Sequence, residues 1–197
     1  PDDLPRFSPD GRLLAFSRQH IAGFYADQVK LMIHDVKSGK SRMVHRDWDR
    51  SAEGLAWAPD SKGLYGAIDD EGTRRVYYLP LNGDAPSAIT DKTDYGQLSV
   101  AGNGTLIAQN QSAVYPARVV SIDTDRGKVR RLDTFNDAIL ADVSVGTYES
   151  VTYAGADGAP IQMWVHYPPG FDPDKEYPLF LLIHGGPHGA VTDNFHF

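Results

Sequence analysis

Short apolar runs, alternating with polar residues and cut by turn formers, recur along the first two thirds of the chain. Leu31 and Ile33 with Val36, Val76 and Tyr78 with Leu81, and Val119 and Val120 with Ile122 each lead into a glycine: Gly39 in KSGK, Gly83 in LNGD and Gly127 in DRGK. Alternation with period two puts one face of a strand on a core, and a glycine supplies the backbone freedom of a tight hairpin. Each segment therefore predicts strand, turn, strand. The three glycines are evenly spaced, 44 residues from one to the next.

A second marker interlocks with the first. Phe7-Ser-Pro-Asp-Gly-Arg-Leu-Leu-Ala-Phe16 and Trp57-Ala-Pro-Asp-Ser-Lys-Gly-Leu-Tyr-Gly66 share an aromatic, a small residue, Pro-Asp, a turn and a further apolar strand. A weaker copy starts at Val100, with Asn103-Gly104 as its turn and Leu106-Ile107 resuming the strand; the intervals are 50 and then 43 residues. A unit of about 40 to 50 residues holding four short strands is the size of one propeller blade. A β-sandwich with chance similarities is the alternative, but two independent markers in step favour the propeller. About three units fit between Pro1 and Phe135, fewer than the roughly four to eight of closed propellers, so further blades are expected upstream.

Past residue 135 the repeat fades. Residues 136–148 read as a linker, and 149–197 follow a different pattern. Glu149 to Tyr153 alternates as a strand, Ala156-Asp157-Gly158 turns it, and Ile161 to Tyr167 returns. A proline-rich loop, Pro168 to Pro173, separates this hairpin from the apolar run Leu179 to Ile183, which reads as a fully buried strand. The predicted fold is thus mostly β: C-terminal blades of a β-propeller (1–135), then the first strands of an α/β-hydrolase domain (149–197), the latter truncated.

The apolar run stops at His184-Gly185-Gly186-Pro187-His188-Gly189, which carries the candidate chemistry. Adjacent glycines let the backbone turn where a Cβ would clash and leave N–H groups facing open space, as an oxyanion hole requires. Gly185 and Gly186 are the candidate donors, with His184, Pro187 and His188 as the supporting loop. No nucleophile accompanies them: the last serine is Ser150, and no stretch fits the GxSxG elbow. The first residue is Pro1 rather than Met and lies within a repeat, so the chain reads as an internal fragment with no catalytic residue of its own; the residues that would attack and shuttle protons lie beyond Phe197 or do not exist.

Composition narrows the classes further. A net charge of -7, with no basic cluster larger than Lys128 to Arg131, argues against a nucleic-acid partner. No apolar stretch approaches the roughly 18 residues of a membrane-crossing helix. Zero cysteines exclude disulfides, zinc ribbons and thiol catalysis, and suit the cytosol or the periplasm alike. His184, His188 and His196 have no carboxylate at metal-ligand spacing, so neither metal nor cofactor is expected. Asp69-Asp70-Glu71 reads as a solvated hairpin tip and Lys128 to Arg131 as a charged strand edge. Trp48 and Trp57 read as packing between blades. Asp193 and Asn194 suit either contact with a bound peptide or simple loop polarity.

Blade repeats followed by the hairpin, the Pro-Gly loop, Tyr177-Pro178, the apolar run and HGGPHG resemble the prolyl oligopeptidase family of serine peptidases, in particular its acylaminoacyl-peptidase and bacterial dipeptidyl-peptidase branches. The resemblance implies a propeller that caps a hydrolase active site and admits short peptides. It implies a Ser, Asp, His triad, the Gly186 N–H as one oxyanion donor, and a second donor from the residue after the nucleophile. The partners implied are short peptide substrates and, from the same protein, the missing blades and the hydrolase remainder; a homo-oligomer stays open. A carboxylesterase on this scaffold and a non-catalytic propeller that binds partners are the competing readings.

Overall fold

The computed structural model describes residues 2–186 and 189–195, and they form three antiparallel four-stranded meanders followed by a hairpin. The first meander is β1 (Asp2–Phe7), β2 (Leu13–Arg18), β3 (Lys30–Asp35) and β4 (Lys40–Val44), paired in that order. The second is β5 (Ala56–Trp57), β6 (Gly63–Asp70), β7 (Thr73–Pro80) and the two-residue β8 (Ser87–Ala88). The third is β9 (Asp94–Val100), β10 (Leu106–Ser112), β11 (Tyr115–Ile122) and β12 (Val129–Arg131). One parallel bridge, Arg74 to Asp94, joins the second and third into a continuous hydrogen-bonded path. A short helix, α1 (Asp137–Leu140), precedes the closing hairpin of β13 (Thr147–Ala154) and β14 (Pro160–Tyr167).

The repeat is written into the turns. Ser8 N–H donates to the Leu13 carbonyl and Gly11 N–H to the Ser8 carbonyl; Ala58 and Ser61 make the same pair with Gly63 and Ala58, and Ala101 and Gly104 with Thr105 and Ala101. Inside each turn one side chain accepts a backbone N–H two residues on: Asp10 from Arg12, Asp60 from Lys62, Asn103 from Thr105. That is the Asx-turn for which Asp and Asn are preferred. The weak third copy is therefore a full structural copy, with Asn103 in the aspartate's place. The hairpin glycines Gly39, Gly83 and Gly127 all adopt positive φ, at 67°, 101° and 66°.

The core lies between the meanders. Leu31, Ile33, Trp57, Leu64 and Leu79 close the first interface; Tyr65, Val76, Leu106, Val120 and Ile122 close the second. Adjacent residues Leu64 and Tyr65 thus serve opposite faces of β6, the strand buried on both sides. Trp57 also donates its indole N–H to the Arg6 carbonyl at 2.9 Å, tying the second meander to the first, and Trp48 packs on the same cluster. Both tryptophans are packing residues between blades.

Two expectations need correction here. Leu179 to Ile183 is neither strand nor buried: it is extended coil with exposures between 73% and 93%. A strand of a parallel sheet exists only through hydrogen bonds to neighbours, and among the described residues none lies beside this run. His184 accordingly does not end a strand. Asp70, expected as part of a solvated tip, is instead 8% exposed. The tip itself is the two-residue turn Glu71-Gly72, with φ of 50° and 75° between paired Asp70 and Thr73. Lys128 to Arg131 does fall on the sheet edge, where β12 ends the strand order.

Candidate active site at the glycine loop

No heavy atom comes within 4 Å of the place a Gly185 Cβ would occupy, and Gly186 has a φ of 150°, a backbone few other residues adopt. His184 Nδ1 lies 2.9 Å from the Gly185 carbonyl oxygen, which can only accept, and this contact ties the imidazole to the loop. Tyr25, in the long β2–β3 connection of the first meander, donates its hydroxyl to the Gly186 carbonyl at 3.3 Å. The carbonyls of both glycines thus each accept one side-chain contact. Pro187, His188 and His196 lie outside the described residues.

Downstream, the chain is held firmly. Trp164 of β14 donates its indole N–H to the Val191 carbonyl at 3.1 Å. Thr192 donates its hydroxyl to Asp94 Oδ2 at 2.6 Å. Asp193 Oδ1 accepts the Ala113 N–H at 2.8 Å and its Oδ2 accepts the Tyr148 hydroxyl at 2.9 Å, while the Asp193 N–H donates to the Gly72 carbonyl at 3.0 Å. Asp193 is 2% exposed. Neither of its expected roles holds: it is not on a surface that a peptide could touch, and more than loop polarity accounts for it. The sequence signal was faint, one aspartate after a glycine loop, because its partners Ser112, Ala113 and Tyr148 lie tens of residues upstream.

Two carboxylates and a phenol meet different electrostatics. Burial pushes the Asp94 carboxyl up, against the opposing pull of hydrogen bonds from Thr192 and Gln111. Burial would also raise Asp70, but the Tyr77 hydroxyl at 2.7 Å and the Arg50 and Arg75 guanidinium groups at 3.0 and 3.4 Å outweigh it and hold the carboxyl below its ordinary value. Tyr148 is raised, by burial first and then by its bond to the Asp193 carboxylate. Among the described residues no cluster of three metal-ligating side chains forms, and no helix is long and apolar enough to cross a membrane.

Two curated proteins align along nearly the entire chain. It is 30% identical over 197 residues to "Dipeptidyl-peptidase 5" of Porphyromonas gingivalis, covering 100% of the chain and 29% of that protein. To "Dipeptidyl-peptidase 5" of Schizosaccharomyces pombe it is 26% identical over 198 residues, covering 97% of the chain and 28% of the relative. The chain therefore spans less than a third of these relatives. Among solved structures, the acylaminoacyl peptidase of Pyrococcus horikoshii superposes with a TM-score of 0.74 over 95% of the chain and 28% of that protein. At 19% identity this likeness concerns the fold alone. No protein-family model matches.

Proposed function

The chain belongs to the prolyl oligopeptidase family, and from that premise we propose that the protein of which it forms part is a serine peptidase acting on short peptides through an acyl-enzyme. In this reading residues 1–135 form three blades of a propeller that limits access to the site. Residues 136–148 connect them to residues 149–197, which open the hydrolase domain. The observation that carries the reading is the Gly185-Gly186 pair, with open space at the Gly185 Cβ position and its carbonyls accepting contacts from His184 and Tyr25.

The chemistry follows from that arrangement. As a nucleophile adds to a peptide carbonyl, charge gathers on the oxygen, and a donor already aimed at it stabilises the transition state more than the substrate. One such donor contributes about 2.7 to 4 kcal/mol. Gly186 N–H is the donor assigned to this loop, at a residue whose positive φ favours glycine. The serine, aspartate and histidine of the triad and the second donor belong to the remainder of the protein.

Labelling of the full-length protein with a fluorophosphonate serine probe tests the reading. Stoichiometric labelling is expected, with faster turnover of a dipeptidyl or acylaminoacyl anilide than of a matched nitrophenyl ester, relative to their intrinsic reactivities. A folded protein that resists the probe overturns it, and an ester-only activity shifts the assignment to a carboxylesterase. The 197-residue chain alone is expected to be inactive on the same substrates, and measurable turnover by the pure chain would contradict the assignment of roles.

A further inference from the structure

Three successive residues beyond the glycine loop are each bound to a different part of the molecule: Val191 to β14, Thr192 to β9, and Asp193 to the hairpin tips of the second and third meanders and to β13. We propose that Asp193 is a positioning residue, the centre of a latch through which the blade tips hold the glycine loop in place for catalysis. This deepens the peptidase reading above and rests on it.

The proton inventory makes the latch specific. Ser112 Oγ lies 2.8 Å from the Tyr148 hydroxyl and 3.2 Å from Asp193 Oδ1. A hydroxyl has one proton to give. Ser112 donating to Tyr148, and Tyr148 to Oδ2, leaves Oδ1 for the Ala113 N–H, and every group in the set is satisfied. The carboxylate is buried with two neutral donors on it and the Ser112 hydroxyl beside it and, among the described residues, no ion pair. Such a group is held by geometry rather than by a counter-charge, so it tolerates little displacement. Its own N–H on the Gly72 carbonyl fixes the backbone as well, at a turn where a Gly72 Cβ would come within 3.0 to 3.1 Å of the Gln162 side chain.

Tips of all three meanders reach the segment from Gly186 to Asp193. Tyr25 of the first meander reaches Gly186, Gly72 of the second meets Asp193, and Ser112 and Ala113 of the third meet Asp193 again. The loop that carries the candidate amides is thus strung between propeller contacts.

The test uses the full-length enzyme. In Asp193→Ala, kcat and the fluorophosphonate inactivation rate are expected to fall together by about 10- to 100-fold, the effect of a small misplacement, while KM stays within about twofold. Asp193→Asn keeps Oδ1 for Ala113 and lets the Tyr148 hydroxyl rotate to accept, so it should recover most of the lost rate. Tyr148→Phe serves if the alanine variant does not fold. Hydrogen exchange across residues 184–195 should quicken in Asp193→Ala, a readout independent of activity. Unchanged exchange, or quickened exchange with an unchanged kcat, overturns the latch. A wild-type protein inert to the probe overturns the peptidase reading instead, and exchange still decides whether the latch exists.

Discussion

Asp70 and Asp94 stand two strands apart with opposite electrostatics, and the difference is a matter of partners. Asp70 has two guanidinium groups and a phenol; Asp94 has a threonine hydroxyl and an amide, with burial dominating. For Asp94 the folded carboxyl binds its proton more tightly than the unfolded one. Stability is then lost as pH rises through the window that begins near the unfolded value of about 3.9 and ends at the raised folded value. Asp94→Asn keeps the acceptor for Gln111 and lets Thr192 turn its hydroxyl, so the variant should melt at or above the wild-type temperature at pH 7, with that advantage shrinking toward pH 4. Melting curves across this range check it, and a variant less stable at pH 7 with an unaltered pH slope would refute the assignment. Asp70 runs the other way: its contribution is present above the unfolded value and fades as pH falls through the folded one.

The strand-turn-strand unit explains why the glycine periodicity could be read at all. Gly39 and Gly127 occupy the same hairpin corner, each donating its N–H to an aspartate carbonyl four residues back, Asp35 and Asp123, at 2.9 and 2.8 Å. Their surroundings differ. A Cβ on Gly39 would meet nothing within 4 Å, whereas one on Gly127 would fall 2.3 Å from the Ile89 carbonyl oxygen. Gly39→Ala should therefore cost only the left-handed backbone penalty of about 1 to 2 kcal/mol, and Gly127→Ala distinctly more, because backbone of the β8–β9 connection must shift. Chemical denaturation of the two variants, compared at matched m-values, measures the gap; equal losses would show that the clash relaxes at no cost. The repeat is thus uniform in hydrogen bonding and uneven in packing.

At the scale of the whole molecule, the most exposed apolar surface among the described residues is the Leu179 to Ile183 run, with Leu182 at 93%. An extended apolar segment with unpaired backbone is a template for another strand. The 197-residue chain in isolation is expected to associate as its concentration rises, and Leu181→Lys with Ile183→Lys to suppress that association in sedimentation experiments. In the full-length protein the same pair should abolish fluorophosphonate labelling by preventing the run from entering a sheet. Retained labelling there would mean the segment is never a buried strand. The two large inter-meander clusters need no such partner, since β6 already has meanders on both its faces.

Local chemistry made much of this legible beforehand. Turn residues such as Asp10, Asp60 and Asn103, and glycines such as Gly39, Gly83 and Gly127, act through bonds to atoms two to five residues away, so the meander, its hairpins and the likeness to a propeller could be read along the chain. The glycine pair was legible for the same reason, as backbone freedom is a property of the residue itself. What tertiary structure alone decided concerns partners distant in sequence: Asp193 with Ser112 and Tyr148, Asp70 with Arg50, Tyr25 with Gly186. It also decided the fate of Leu179 to Ile183, because hydrophobicity states that a segment favours burial while only neighbouring strands can bury it.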